Sequence, residues 1–138
     1  MSTPHKNKSF ATFLAFILGA VGAHRFYLRG AVDRLGLLHV ASLPIAGIVY
    51  GLAPESNGFF QILPLLVSAV VGFIEALVIG TMPDEKFDAA FNAGSGQKSD
   101  SSWVVALLLV ATTMAGATLL ILVMSRLVDL LYTGGAYG

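Results

Sequence analysis

The chain has 138 residues, 56% of them hydrophobic and only 12% charged, whereas soluble domains carry about 25% charged residues. A soluble domain of this size could not hide so much apolar surface from water, so we expect an integral membrane protein. The formal net charge is zero, which argues against a nucleic-acid partner. The absence of cysteine excludes disulfides, thiolate metal sites and cysteine catalysis.

Four apolar stretches follow one another along the chain. They cover residues 10–23, 35–52, 59–82 and 103–124. A membrane-spanning helix needs about 20 apolar residues, so the last three stretches are long enough and the first is short. Strands are excluded because the runs are long and do not alternate between apolar and polar residues. We therefore predict an all-α fold, an integral membrane bundle of three to four hydrophobic helices.

The short first stretch, residues 10–23, leaves three alternatives open. It spans the membrane if its helix continues to Leu28, and it is a re-entrant or interfacial segment if it does not. The third alternative is a signal peptide, because the stretch has a basic start and residues 20–23 resemble a cleavage site. Cleavage would place an arginine-rich end outside, against the positive-inside rule.

Positive charges predict the orientation in the membrane. A spanning first stretch gives five lysines and arginines inside and three outside, whereas a re-entrant one gives seven against one. The charge count therefore favours the re-entrant alternative. Both alternatives place the loop from Arg25 to Arg34 and residues 83–101 in the cytoplasm and the C-terminus outside, so only the side of the N-terminus is left open.

Prolines and a turn define the second and third helices. Pro44 lies inside the second stretch and is expected to kink it. Asn57 and Gly58 indicate a tight turn between the two stretches. Pro64 lies early in the third stretch, which suggests that this helix begins near Leu63.

Residues 83–101 are the only long polar segment. Phe87, Ala90 and Phe91 fall on one face of a short helix, which we expect to rest on lipid headgroups before a flexible Gly-Ser-Gly link. The predicted division of the chain is a polar tail at 1–9, a membrane domain at 10–82, the amphipathic segment and linker at 83–101, an additional C-terminal transmembrane helix at 102–131 and a tail at 132–138.

The most distinctive run is GAVGAHRFYLRG at residues 19–30. The sequence around this motif resembles the TM-two (two-transmembrane) domain family, whose bacterial members are called NINE proteins. The resemblance consists of a basic start, an apolar helix with small residues and then this motif. The matching positions are Gly22, His24, Arg25, Phe26, Tyr27 and Leu28. Arg29 departs from the family, in which glycine is common at this place. The resemblance covers roughly residues 8–92 and implies a bacterial inner-membrane protein of poorly defined biochemistry.

Two glycine pairs are candidate helix contacts. Gly19 and Gly22 share one helix face and allow another helix to approach closely. Gly47 and Gly51 form a second face with small-xxx-small spacing. We expect this second pair to pack within one protomer, with dimerisation as the alternative.

The polar and aromatic residues of the motif suit the membrane surface. Phe26 and Tyr27 are typical of the interface, with the Tyr27 hydroxyl towards water. Arg25, Arg29 and Arg34 can hold lipid phosphates or carboxylates. Two interpretations follow: a tight interfacial turn that anchors two helices, or a surface that recognises lipid headgroups, another membrane protein or a second copy of the chain.

Glu75 is an acidic residue within the third stretch, roughly 10 Å along the helix from Met82. At that depth an acidic group costs about 2–3 kcal/mol unless it is paired or neutralised. We predict that it contacts His39 or Arg25. Its position among aliphatic residues also resembles the intramembrane acidic residue of the TM-two family. A packing pair, a protonated unpaired acid, and a transport or proton-relay group are the alternatives.

No motif marks the chain as an enzyme, and none indicates a cofactor or metal. Residues 94–99 lack the Gly-Lys pair of a phosphate loop, and the histidines have no ligand spacing. The leading hypothesis is a structural or accessory protein that binds lipid or another membrane protein through the loop from His24 to Arg34. A transporter or channel subunit with a polar path at Glu75 and His39 is the rival. A lipid-modifying enzyme with His24 as acid or base is the third hypothesis.

Overall fold

The computed structural model describes residues 2–137, and the helices and turns account for most of them. The predicted all-α class is confirmed. The elements in chain order are α1 (Lys8–Leu18), a 3-10 turn (Gly19–Val21), α2 (Ala23–Arg29), α3 (Arg34–Leu52), α4 (Gly58–Thr81), α5 (Asp84–Phe91) and α6 (Trp103–Thr133).

Three helices, α3, α4 and α6, are long and apolar enough to cross a membrane. The central one is α4, since α1, α3 and α6 all pack against it. Polar side chains begin two of the long helices: Asp33 accepts a hydrogen bond from the Gly36 amide at 2.7 Å, and Asn57 accepts one from the Phe59 amide at 3.0 Å. These caps satisfy amides that have no partner within their own helix.

The first apolar stretch forms a re-entrant hairpin. Helix α1 runs antiparallel to α4, because the Lys8 ammonium contacts the Met82 carbonyl while Gly19 lies against Gly72. The chain then reverses, and α2 returns to the end where α1 began. The amide of Asn7 donates to the Tyr27 hydroxyl at 2.8 Å. The four-span alternative is therefore wrong for this fold, because α1 is too short to cross and α2 leads back.

The N-terminal segment lies at the same end of the bundle as α5. The Lys6 amide donates to the Asn92 side chain at 2.6 Å, whose amide donates back to the Lys6 carbonyl at 3.0 Å. The Thr3 amide also donates to the Gly94 carbonyl at 3.2 Å. The polar tail and the glycine-rich link, which was predicted to be flexible, are thus joined by hydrogen bonds.

Helix α5 packs against protein. Phe87 is fully buried, in one cluster with Ala11, Leu28 and Ile79, so the prediction of contact with lipid headgroups is wrong for Phe87, whereas Ala90 of the same face is exposed. An amphipathic pattern shows that a face is apolar without showing what covers it. Here the re-entrant hairpin packs against Phe87.

Two helix boundaries differ from prediction. Helix α4 begins at Gly58 rather than near Leu63, because Pro64 removes one backbone hydrogen bond while the Asn57 cap stabilises the first turn. Helix α6 continues to Thr133 and includes an ion pair of 2.7 Å between Arg126 and Asp129. Pro44 lies inside the continuous α3.

Candidate functional site: a polar cluster around Glu75

Glu75 is the centre of a polar cluster formed by α2, α3 and α4. The Arg25 Nε atom donates to Glu75 Oε1 at 2.7 Å, and Arg25 Nη2 contacts the same oxygen. His24 Nε2 lies 2.7 Å from Oε2, and His39 Nε2 lies 3.1 Å from that oxygen. The predicted contact with His39 or Arg25 is confirmed for both residues, and His24 is a third partner.

The reversal at Gly22 brings these side chains together. Gly22 has a φ of 72°, a conformation that costs a residue with a Cβ atom considerably more than it costs glycine. A Cβ atom here would also lie 3.0 Å from the His39 Cβ and 3.1 Å from the Gly36 backbone. The glycine therefore allows α2 to begin directly against α3, which places His24 and Arg25 beside Glu75.

Gly19 brings the hairpin equally close to α4. A Cβ atom built on Gly19 would lie 2.9 Å from the Gly72 Cα, and one on Gly72 would lie 2.5 Å from the Gly19 carbonyl carbon. The predicted close approach of a helix at Gly19 is confirmed. Its partner, Gly72, lies one turn before Glu75 on the same helix and fixes how near the hairpin comes.

Asp33 extends the cluster towards the bundle end. Its carboxylate accepts from the Gly36 amide at 2.7 Å and from Arg25 Nη1 at 3.3 Å. The Gly36 amide, and after it Arg25, lower the pKa of Asp33 below its usual value against the opposing effect of burial. Asp33 thus orients the guanidinium that holds Glu75. Asp33 was not predicted from the sequence, although an aspartate three residues before Gly36 at a helix start is a typical N-cap signal.

Ser68 is a second residue that sequence reasoning missed. Its Oγ atom lies 2.7 Å from His39 Nδ1 and donates to the Ala20 carbonyl at 2.6 Å. One hydroxyl therefore links α4 to α3 and to the 3-10 turn. The available signal was a serine among aliphatic residues, seven residues before Glu75.

The two histidines of the cluster are deeply buried. His24 is 1% exposed and His39 is 6% exposed. Every ring nitrogen except one has a hydrogen-bonding neighbour: within residues 2–137, His24 Nδ1 has no partner. No group of three or more potential metal ligands occurs among the described residues.

Two cavities adjoin the cluster, and Glu75 lines both. The larger, about 670 Å³, is a groove between α3 and α4 with mostly apolar walls and His39, Ser42 and Ser68 at its polar end. The smaller, about 280 Å³, lies between α2, α4 and α5. We call it the interfacial cavity; its walls include Arg25, Leu28, Arg29, Glu75, Met82 and Phe91.

The remaining motif residues occupy different surroundings. The Phe26 ring packs against Gly36, so that a Cβ atom there would lie 2.8 Å from the ring. The Tyr27 hydroxyl accepts from the Asn7 amide at an exposed position, because α2 returns alongside the start of α1. Arg29 is exposed, and its guanidinium lies 5.4 Å from the centre of the Phe91 ring.

The second glycine pair does not pack inside the protomer. A Cβ atom on Gly47 or on Gly51 would have no neighbour within 4 Å. The prediction of packing within one protomer is wrong, because these residues lie on a side of α3 that faces away from α4. Dimerisation through this face stays a prediction.

A second polar group fixes the start of α1. The Lys8 side chain is 7% exposed, and its Nζ atom donates to Asp84 Oδ1 at 2.9 Å and to Ser101 Oγ at 3.0 Å. Hydrogen bonds from Ser101 and Lys8 lower the pKa of Asp84. This group joins α1 to the starts of α5 and α6.

The fold and the cluster define a helical membrane protein with a re-entrant hairpin locked onto its central helix. Residues 4–52 match the TM2 domain family, in agreement with the resemblance. The match includes the hairpin and α3, with His24, Arg25 and His39, and ends before Glu75. No curated protein and no solved structure matches the chain.

Proposed function

We propose that the protein is an accessory membrane protein whose TM2 domain binds an anionic lipid headgroup in the interfacial cavity. The observation that carries the proposal is Arg29, an exposed guanidinium that lines this cavity. The other polar residues of its walls, His24, Arg25 and Glu75, already bind one another. Among the described residues no salt bridge involves Arg29. Arginine at a membrane surface suits a phosphate group, with apolar walls beside it for the start of an acyl chain.

Only part of the loop from His24 to Arg34 is available for lipid binding in this proposal. His24 and Arg25 direct their polar atoms to Glu75, so within the loop from His24 to Arg34 they hold the fold together. Arg29 and Arg34 are the exposed arginines of that loop. Lipid binding by this protein therefore rests on Arg29 in the cavity, with Arg34 outside it.

The proposed orientation places this surface in the cytoplasm. The end that carries the N-terminal segment, α2 and α5 has seven of the eight lysines and arginines, and Arg126 lies near the other end. The positive-inside rule favours a cytoplasmic location for the basic end. The resemblance to NINE proteins supports a bacterial inner membrane.

Lipid retention tests the proposal. The full-length chain and its Arg29→Ala variant are purified in mild detergent, and native mass spectrometry measures binding of added phosphatidylglycerol and phosphatidylcholine. Loss of one charged contact is expected to weaken phosphatidylglycerol binding on the order of tenfold. Phosphatidylcholine binding should change less.

Arg34→Ala is the matched control, since it removes the same charge outside the cavity. Equal losses in both variants would mean non-specific attraction to a basic surface and would contradict a site at Arg29. Loss of a co-purified protein in Arg29→Ala, with lipid binding unchanged, would identify the cavity as a protein interface instead.

A transporter or channel subunit is the second candidate, and one observation favours it. Glu75 lines both the groove and the interfacial cavity, so a polar path through the cluster would have an opening on each side. In this case Glu75→Gln should abolish ion or solute flux in proteoliposomes while abundance and fold are retained. Unchanged flux in that variant would exclude the polar path.

A further inference from the structure

The hydrogen bonds of Ser68 determine where His39 carries its ring hydrogen. A serine hydroxyl has a single proton, and a backbone carbonyl can only accept. Ser68 Oγ lies 2.6 Å from the Ala20 carbonyl oxygen, so the hydroxyl proton is committed to that bond. His39 Nδ1, at 2.7 Å from Ser68 Oγ, must therefore be the donor in the other bond.

A hydrogen on Nδ1 creates a conflict on the opposite side of the ring. Neutral imidazole carries one ring hydrogen, so Nε2 would present a lone pair. That lone pair would face Glu75 Oε2 at 3.1 Å, and a carboxylate oxygen is also only an acceptor. One additional proton between the two atoms converts this repulsive contact into a hydrogen bond.

The net charge of the cluster can accommodate this added proton. Arg25 contributes one positive charge, whereas Glu75 and Asp33 contribute two negative charges. One negative charge is therefore unbalanced in a partly buried location, since the side chains of Glu75 and Asp33 are 16% and 14% exposed, and charge there is costly. One added proton makes the three residues and His39 neutral together.

Charged groups on the other elements do not replace this proton. On α1, Lys8 pairs with Asp84 of α5, and on α6, Arg126 pairs with Asp129 near the far end of the bundle. Asp88 of α5 accepts from Ser99 and Asn92. The remaining arginines that flank α2 and α3, Arg29 and Arg34, are exposed, where water and salt screen them.

His24 does not need the additional proton. Its Nε2 atom lies 2.7 Å from Glu75 Oε2, and its Nδ1 atom has no partner in the described part of the chain. A neutral ring with its hydrogen on Nε2 donates to the carboxylate and leaves only the lone pair of Nδ1 unused. The extra proton therefore lies at His39 rather than at His24.

The geometry assigns a proton-binding site to the pair formed by His39 and Glu75, with one exchangeable proton shared between Nε2 and Oε2. The proton joins α3 to α4, and since Glu75 lines both cavities, exchange can occur from either. The assignment does not depend on lipid binding at Arg29.

Nitrogen-15 magnetic resonance of histidine-labelled protein in phosphatidylcholine vesicles tests the site, with signals assigned from His24→Gln and His39→Gln spectra. At neutral pH we expect hydrogen on both ring nitrogens of His39, with the Nε2 hydrogen shared with Glu75. His24 should be neutral with its hydrogen on Nε2. A wild-type His39 that is neutral with hydrogen only on Nε2 would overturn the assignment, and this result requires no variant to fold.

Ser68→Ala and Glu75→Gln sharpen the test. Ser68→Ala frees Nδ1 from its acceptor, so His39 should become neutral with its hydrogen on Nε2 and the chain should bind one proton fewer. Glu75→Gln supplies an amide donor to Nε2, so His39 should become neutral with its hydrogen on Nδ1. A His39 spectrum that is the same in wild type and in Ser68→Ala would contradict the proposal.

Discussion

The two halves of α4 have the same apolar character and very different packing. All buried residues of this helix lie between Ser68 and Gly80, and none lies in the half from Gly58 to Val67. The first half borders the groove towards α3, whereas the second half receives the hairpin, His39 and α6. Hydrophobicity accounts for both halves in lipid, but small residues and one acid decide where protein packs against protein.

The largest expected effect comes from breaking the cluster in the packed half. Glu75→Ala leaves the partly buried Arg25 with Asp33 as its remaining acidic partner, and loss of one partner of a buried ion pair costs about 3–5 kcal/mol. Unfolding in mixed micelles should show a loss of this size in the free energy of unfolding. The matched control is Glu55→Ala, an exposed acid beyond the open half, which should change it little. Similar losses in the free energy of unfolding in the two variants would contradict the difference in packing between the two halves of α4.

The second-largest expected effect is the loss of stability when a glycine of the packed pair, Gly19 and Gly72, is substituted, compared with the unpacked pair, Gly47 and Gly51. Gly72→Ala places a Cβ atom 2.5 Å from the Gly19 carbonyl carbon, and overpacking of this kind costs about 1–3 kcal/mol. Gly47→Ala meets nothing within 4 Å in the protomer and should leave the unfolding of the protomer unchanged. A change from dimer to monomer in Gly47→Ala would instead support dimerisation through α3.

A smaller effect is expected at the N-terminal segment. Hydrogen bonds from Asn92 and Ser99 lower the pKa of Asp88 to about 2, whereas an unfolded aspartate titrates near 3.9. Because the folded pKa is the lower one, this stabilisation is complete above about pH 4 and is lost as the pH falls towards 2. The protection factor of the Ser99 amide, which donates to Asp88, should therefore fall over this range in hydrogen-exchange measurements.

Asp88→Asn should remove that pH dependence, and Asp100→Asn, which changes an exposed acid nearby, should retain it. If the protection factor of the Ser99 amide in the unmodified chain did not change with acid, Asp88 would not be the group that binds this amide.

The smallest effect is expected at Arg126. Its pair with Asp129 is three residues apart on α6 and partly exposed, and such pairs contribute at most about 1 kcal/mol. Arg126→Gln should therefore change the free energy of unfolding less than Gly72→Ala does. A larger loss would mean that the far end of α6 is packed more firmly than its exposure indicates.

The sequence predicted the helices that span and the partners of Glu75. A run of about 20 apolar residues has few alternatives, and a buried acid must find a donor. With few donors available near the basic loop, Arg25 and His39 could be named in advance. The contribution of His24 could not, because the direction of its side chain depends on the reversal at Gly22.

The sequence did not show which helix surfaces pack against one another within the protomer. The first stretch was compatible with spanning and with re-entry, since a length near the limit does not distinguish them. The face with Phe87 suits headgroups and protein equally well by pattern. Gly47 and Gly51 have the same spacing as many packed pairs, but spacing cannot show that no helix of the protomer approaches them.

Cysteine accessibility tests the re-entrant hairpin most directly, since the natural chain has no cysteine. Single variants Ser2→Cys, Ala93→Cys and Glu55→Cys are labelled in oriented membrane vesicles with an impermeant maleimide. The hairpin predicts that positions 2 and 93 react from one side of the membrane and position 55 from the other. Reaction of positions 2 and 55 from the same side would mean that the first stretch crosses the membrane, and would contradict the fold on which the Glu75 cluster depends.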